Sequence, residues 1–209
     1  MQIFNLFPTS ILQYELERDF TKIELNVVSK KLEKITPNTF NRYSSDKQVL
    51  EDNDLIDLRV FCEESIKHFC HVIFENNLNL RISQSWLNET MPNEQHHRHC
   101  HPNSLISGVL YIQTKDEDKI EFYSSNQRYK YWQGLEKNSN IFNANSWWLP
   151  AKKGSLLLFL SDVEHSVRPV IDGRRISLSF NTFINEDYGS VDGLTFAPLD
   201  ITSVKVPPR

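Results

Sequence analysis

Cysteines and long apolar runs are scarce in this chain of 209 residues, and each scarcity excludes a class of protein. The three cysteines, Cys62, Cys70 and Cys100, include no C-x-x-C pair, which argues against a disulfide framework and a cysteine-rich zinc module. No apolar run approaches the roughly 18 residues of a membrane-spanning helix. The residues after Met1 lack the basic and apolar regions of a signal peptide. We therefore expect a cytoplasmic protein that does not cross a membrane.

Basic residues are also in short supply. Lysine and arginine number 23 against 27 aspartates and glutamates, which gives a formal net charge of −4. General binding to nucleic acid needs a basic surplus, so this balance argues against that function. The six glycines and nine prolines are scattered, so no low-complexity linker divides the chain. At about 150 residues per domain, residues 1–209 are expected to form a single domain.

The first third of the chain has the apolar periodicity of helices. Thr21, with Glu24 three residues later, is typical of a capping box and predicts a helix that reaches Pro37. A second helix is predicted between the acidic stretch that ends at Asp54 and Asn76. Its apolar stripe, at steps of three and four, consists of Leu55, Leu58, Cys62, Ile66, Phe69 and Ile73.

Short runs rich in aromatic and β-branched residues follow Asn77 and predict strands. The five predicted strands are Leu80–Asn88, Leu105–Gln113, Lys119–Tyr123, Ser155–Ser161 and Arg175–Phe183. Helices followed by many short strands favour a mainly β fold, an antiparallel sandwich or barrel with flanking N-terminal helices. The single domain then divides into helical support over residues 1–78, a β core over 79–185 and a tail over 186–209 that wraps around the body.

The segment 124–150 is predicted to be a long aromatic loop. Its aromatic residues include Tyr129, Tyr131, Trp132, Trp147 and Trp148. A loop of this length in a compact domain is usually a lid, a binding loop or disordered. Two interpretations remain open: a substrate lid, and a surface loop whose two tryptophans cap the core.

Two of the predicted strands have informative faces. Arg175–Phe183 alternates, so that its polar and apolar side chains point to opposite sides of a sheet. The polar set is Arg175, Ser177, Ser179 and Asn181, and the apolar set is Ile176, Leu178 and Phe180. The polar face either lies in water or lines the mouth of a barrel. The run Leu156–Leu160 is apolar on both faces, which predicts a strand covered on both sides.

The histidines are clustered in the sequence, since four of the seven lie within six positions. These four are His96, His97, His99 and His101. Two histidines spaced i, i+2 on an extended segment point the same way and can bind one metal ion. Both His99 with His101 and His97 with His99 have this spacing. A surface cluster without metal is the alternative, and His68 and His71 on the second helix are interpreted as structural or surface residues.

The hypothesis of a metal site is strengthened by three later residues, His165, Arg175 and Ser177. His165 follows the strand that is apolar on both faces after a short turn, so it could meet the H-x-H pair at a barrel mouth. Arg175 and Ser177 share a strand face and would form a carboxylate clamp, because the guanidinium offers a planar fork and the hydroxyl adds a donor.

These segments resemble the iron(II)/2-oxoglutarate-dependent oxygenase superfamily, and within it a small group of 2OG-Fe(II) oxygenases. The matching segments, in the family's order, are Trp86–Asn88, His99–Tyr111, Gly154–Ser161, His165–Pro169 and Arg175–Asn181. The resemblance covers roughly residues 80–185. It implies a double-stranded β-helix, which is a jelly-roll or cupin-like barrel, with helices against one sheet.

The resemblance also implies the cofactors and the roles of five residues. Fe(II) would be held at the barrel mouth by His99 and His165, with positions open for the cosubstrate 2-oxoglutarate and O₂. Arg175 would pair with the distal carboxylate of 2-oxoglutarate, Ser177 would support it, and Tyr111 would face the cosubstrate. The implied reaction is hydroxylation of an unidentified substrate, either a small molecule or a protein side chain.

One position departs from the family pattern. The usual ligand set is two histidines and a carboxylate, H-x-D/E…H, whereas His101 stands at the carboxylate position here. We favour His99, His101 and His165 as the metal ligands. Two alternatives stay open: a register of His97 and His99, and two protein ligands completed by water or an anion.

Two other functions compete with the oxygenase. A cupin-like protein that binds a metal or small molecule also uses an H-x-H pair, but no glutamate follows His101 closely and a cupin gives Arg175 no role. A degenerate oxygenase fold could bind a partner without turnover.

A homodimer is also allowed, since jelly-roll edges often pair.

Overall fold

The computed structural model describes residues 1–4, 6–125 and 138–199. Eleven strands and two α-helices form the described part of the chain. The predicted aromatics Tyr129, Tyr131 and Trp132 lie outside the described residues.

The strands form two antiparallel sheets. In chain order they are β1 (Ile11–Glu15), β2 (Ile35–Pro37), β3 (Arg42–Ser44), β4 (Leu80–Thr90), β5 (His96–His99), β6 (Ile106–Gln113), β7 (Lys119–Tyr123), β8 (Ser146–Pro150), β9 (Ser155–Leu160), β10 (His165–Val167) and β11 (Arg175–Ile184). The large sheet has the order β1-β9-β6-β11-β4-β3-β2, and the small sheet has the order β5-β10-β7-β8. The mainly β fold with N-terminal helices is confirmed.

The first helix, α1 (Lys22–Leu32), begins at the predicted capping box. The Thr21 hydroxyl accepts a hydrogen bond from the Glu24 N–H at 3.2 Å, and the Glu24 carboxylate accepts one from the Thr21 N–H at 2.7 Å. The prediction that this helix reaches Pro37 is wrong. Ile35–Pro37 is strand β2, because β-branched residues and a following proline both favour extended backbone.

The second helix, α2 (Ile56–Phe74), confirms its predicted stripe. Leu58, Cys62 and Phe69 are fully buried, in a core between the helices and the large sheet. Within the described residues, no helix combines the length and hydropathy that crossing a bilayer requires.

A second core fills the space between the two sheets. β9 supplies side chains to both cores, since Leu156 and Leu158 face the helices while Leu157 and Phe159 face the small sheet. The prediction of a strand covered on both sides is confirmed.

The polar face of β11 is buried and does not lie in water. Arg175, Ser177 and Ser179 are buried between the sheets, while Leu178 and Phe180 belong to the core under the helices. The polar set therefore lines the interior of the sandwich.

The last part of the predicted aromatic loop is a strand. Trp147 and Trp148 lie on β8, at the edge of the small sheet, where they are 40% and 46% exposed. The prediction of a loop is therefore wrong at this end, and both interpretations of the two tryptophans stay predictions. Six strands escaped prediction: β1, β2, β3, β5, β8 and β10.

The division of the chain into three parts stays a prediction. Residues 1–78 contribute β1, β2 and β3 to the large sheet as well as both helices. In the described part of the tail, Tyr188 pairs with Ala197 in a local turn.

Gly108 of β6 allows the ring of Phe180 to pack against the backbone. A Cβ at this position would lie 2.2 Å from the Phe180 Cζ atom, and Phe180 is fully buried. Gly108→Ala is expected to lower the free energy of unfolding by roughly 1–3 kcal/mol, the usual cost of overpacking a core. Chemical denaturation measures this change. In a Phe180→Leu background the same substitution should cost less, and an equal cost in both backgrounds would contradict the steric explanation.

Candidate metal centre

His99, His101 and His165 converge in the space between the sheets. One nitrogen atom from each lies within 4.8 Å of the others. The Nε2 atoms of His101 and His165 are 3.4 Å apart, and the rings of His99 and His165 have centroids 4.4 Å apart. The sequence-predicted trio is thus brought together, and it is the only such group found in the part of the chain that the structure describes.

Strand pairing places the trio. His99 ends β5 and lies directly opposite His165, the first residue of β10. His101 lies beyond β5, where its N–H donates to the Ser161 carbonyl at 2.8 Å. The side chains of His99 and His101 point to one place, as the i, i+2 spacing predicts, although the strand itself ends at His99. The hydrogen bond to Ser161, just after β9, holds the backbone of His101 beside the other two rings.

Backbone carbonyls orient two of the three imidazoles. The His99 Nδ1–H donates to the His97 carbonyl at 2.8 Å, and the His165 Nδ1–H donates to the Val163 carbonyl at 3.0 Å. Since a carbonyl can only accept, Nδ1 carries the proton in both rings and Nε2 keeps its lone pair. Such outer hydrogen bonds are the usual way in which proteins fix histidine ligands.

Burial keeps the trio neutral. Burial, the larger cause, and the neighbouring His99 together lower the pKa of His165 to about 3 and that of His101 to about 4. The pKa of His99 is also lowered, chiefly by burial. A metal ion binds neutral imidazole, so these rings do not need to lose a proton near neutral pH.

The cavity around the trio contains an arginine without an acidic partner. Arg175 is 3% exposed, and its Nη1 donates to the Lys119 carbonyl at 3.0 Å. No carboxylate forms an ion pair with it among the described residues, whereas the neighbouring Arg174 pairs with Glu89 at 2.6 Å. A buried charge is costly unless it is paired, so Arg175 is poised for an anion.

Two hydroxyl groups accompany Arg175. Ser177 lies opposite Tyr111 across the β11–β6 pairing. The Tyr111 hydroxyl is buried and completes no hydrogen bond of normal geometry within the described ranges, although the Arg175 guanidinium lies 5.1 Å from its ring centroid. Burial raises the pKa of Tyr111 to about 12, and Arg175 opposes that rise. The phenol is therefore a neutral donor.

Sequence reasoning missed three residues of this cavity: His96, Trp86 and Asn88. The His96 ring stacks on His99 with centroids 4.4 Å apart and an interplanar angle of 26°. Trp86 Nε1 donates to Asn88 Oδ1 at 3.2 Å, and Asn88 Nδ2 donates to the Ser179 hydroxyl at 2.9 Å. The segment Trp86–Asn88 carried a signal, through the family resemblance, but strand alternation gave none for His96.

The alternative register of His97 with His99 is not the one that the geometry brings together. The His97 side chain is exposed and does not line the cavity. The third nitrogen of the converging group belongs to His101.

Comparison with known proteins agrees with this geometry. Residues 84–181 match the model of the family described as "Putative 2OG-Fe(II) oxygenase", and this range includes every residue assigned to the site. The resemblance to the iron(II)/2-oxoglutarate-dependent oxygenases is confirmed. No curated protein matches the chain at a significant level.

Solved structures of such oxygenases share the fold at low identity. HygX from Streptomyces hygroscopicus, with nickel and 2-oxoglutarate bound, has a TM-score of 0.57 and 12% identity over 85% of this chain and 84% of its own. A Pseudomonas putida prolyl-4-hydroxylase has a TM-score of 0.54 and 15% identity, over 83% and 92%. The alpha-ketoglutarate-dependent epimerase SnoN from nogalamycin biosynthesis has a TM-score of 0.61 and 10% identity, over 96% and 89%. The double-stranded β-helix expected from the sequence is thereby confirmed.

Single alanine substitutions in the trio test its role in metal binding. His99→Ala, His101→Ala and His165→Ala should each weaken Co(II) binding at least about tenfold, since even the loss of an outer hydrogen bond to a ligand typically has that effect. Calorimetric titration of the metal-free protein with Co(II) measures the change. His97→Ala, which keeps the carbonyl that orients His99, should bind as the wild type does. Unchanged binding by His101→Ala would instead favour two protein ligands completed by water or an anion.

Proposed function

We propose that this protein is a non-haem Fe(II)- and 2-oxoglutarate-dependent dioxygenase of the hydroxylase type. The observation that carries the proposal is one cavity that holds both a trio of imidazoles and a buried arginine with no acidic partner among the described residues. The first group suits a divalent transition metal, and the second suits a carboxylate.

The trio fits Fe(II). Imidazole nitrogen is a common ligand of iron, and three ligands from one side of the cavity leave other coordination positions free. His99, His101 and His165 would hold the ion, and the backbone carbonyls at His97 and Val163 keep two of the rings in the binding orientation. Because the trio contains no carboxylate, the site is one charge unit more positive than the usual set of two histidines and one carboxylate.

The opposite wall fits 2-oxoglutarate. Arg175 would pair with its distal carboxylate, and the hydroxyls of Ser177 and Tyr111 would add hydrogen bonds. The Tyr111 hydroxyl supports this assignment, since it is buried beside Arg175 and completes no hydrogen bond of normal geometry with the described residues, and an unsatisfied buried donor is costly. HygX has been seen with nickel and 2-oxoglutarate bound, which supports the same pair of ligands here.

When bound, iron and 2-oxoglutarate supply the oxidising power, by coupling the reduction of O₂ to decarboxylation. The chain's own residues bind and orient these groups and keep water away. Phe122 and Phe159 pack beside His165, with the Phe159 ring 4.7 Å from it in a T-shaped contact, and they make that side of the centre apolar.

Hydroxylation is the proposed outcome, on a small molecule or a protein side chain in the cytoplasm. The neighbour SnoN is described as an epimerase and SnoK as a carbocyclase, so this fold also hosts other outcomes. Product analysis separates them, because only hydroxylation adds an oxygen atom to the substrate. The cupin interpretation gives no role to the buried Arg175.

An anaerobic titration tests the proposal directly. Adding Fe(II) and then 2-oxoglutarate to the metal-free protein should produce a weak visible charge-transfer band that needs both components. On admitting O₂, succinate should form slowly even without a substrate. Iron binding with neither a band nor succinate would contradict an oxygenase and favour a cupin-like site.

Arg175→Ala tests the carboxylate clamp. It should weaken 2-oxoglutarate binding roughly 10- to 100-fold while leaving Co(II) affinity unchanged, because a hydrogen-bonded charged partner is lost. Arg175→Lys should recover only part of the affinity, since an ammonium lacks the planar fork. The matched control is Arg174→Ala, which removes the neighbouring arginine that pairs with Glu89. Equal effects of Arg174→Ala and Arg175→Ala would exclude a specific clamp.

A further inference from the structure

A fourth imidazole, that of His96, lines the cavity and has no role in the proposed function. It is half-buried, and its ring lies flat against the ring of His99. The adjacent His97 is exposed and does not line the cavity, although its ring centroid lies 5.2 Å from those of His96 and His99. His96 therefore belongs to the cavity lining and His97 does not, although the sequence alone does not distinguish the two.

A bulge in β5 turns His96 inward. His165 lies opposite His99, and Val167 lies opposite His96, so two steps along β10 match three steps along β5. Side chains alternate along a regular strand, and residues three apart would point to opposite faces. The extra residue in β5 corrects this, so His96 and His99 share the inner face.

His96 lies beside the metal trio without belonging to it. The group of converging ligand nitrogens contains His99, His101 and His165 only, among the residues with described positions. His96 and Arg175 line the same cavity. His96 thus borders the space between the trio and the guanidinium, which is where the proposed cosubstrate would lie.

The charges around this space favour binding of an anionic ligand. No aspartate or glutamate lines the cavity within the described residues, while Arg175 and any bound divalent metal contribute positive charge. A neutral imidazole carries one ring N–H, and an N–H that donates to a carboxylate is among the stronger hydrogen bonds in proteins.

We propose that His96 contacts 2-oxoglutarate directly, by donating a ring N–H to a carboxylate oxygen of the cosubstrate. The inference rests on the proposed function and adds a residue to it. His96 is then a recognition residue for the dicarboxylate, and the metal is held without it.

Binding of 2-oxoglutarate to the Ni(II)-loaded full-length protein tests this role. Calorimetry on the wild type, His96→Ala, His96→Gln and His97→Ala gives the affinities for Ni(II) and for 2-oxoglutarate separately. His96→Ala should weaken 2-oxoglutarate binding roughly tenfold and change Ni(II) binding by less than about threefold. His96→Gln keeps an N–H donor and should recover most of the loss. His97→Ala should match the wild type.

Three outcomes would overturn the inference. Unchanged 2-oxoglutarate affinity in His96→Ala would show that the ring makes no contact. A parallel loss of Ni(II) and 2-oxoglutarate, unrelieved by glutamine, would show that His96 merely holds the His99 ring in place. Binding of Ni(II) without any 2-oxoglutarate binding in the wild type would remove the proposed function itself, and this result is visible before any variant is made.

Discussion

The antiparallel pairing of β5 with β10 is the constraint on which the site depends. It sets His99 against His165, and the bulge in the same pairing turns His96 inward. His101 needs a separate tie, from its N–H to the Ser161 carbonyl. Since β10 also pairs with β7, the apolar Phe122 lies directly beside His165. Any change that slips this short pairing by one residue would reverse the direction of the ring at position 165 and disperse the trio.

Charge gives the cavity its chemical character. Burial keeps the histidines neutral, Arg175 stays positive, and acidic side chains pair elsewhere, as Glu89 does with Arg174 and Glu121 with Arg168. The interior is therefore complementary to anions. With a metal bound as proposed, this complementarity would be stronger than in a site with two histidines and a carboxylate, because His101 adds no negative charge.

Much of the fold, and several residues of the candidate site, could be predicted from the sequence. Periodicity located α2 and the five long strands, and the order of the motifs located His99, His165 and Arg175. Short strands such as β5 and β10 were missed, because three or four residues give no detectable period. The same limit hid His96, whose direction depends on a bulge in the pairing of β5 with β10, a strand far along the chain. The first helix was predicted to run beyond its end at Leu32, because Ile35 fits both the helical and the strand periodicity.

The two halves of the site are carried by different sheets. The metal trio belongs to the small sheet and the turn after β5, whereas Arg175, Ser177 and Tyr111 stand on the large sheet. Facing sheets lie about 10 Å apart, and here that spacing is held by the side chains of the second core, Phe159 and Ile120 among them. The thickness of the core therefore fixes the distance between the two halves of the site. In the proposed function, this distance would limit how many carbon atoms can separate the two carboxylates of an acid that spans from the metal to the guanidinium, so selectivity for chain length would come from the packing of the core.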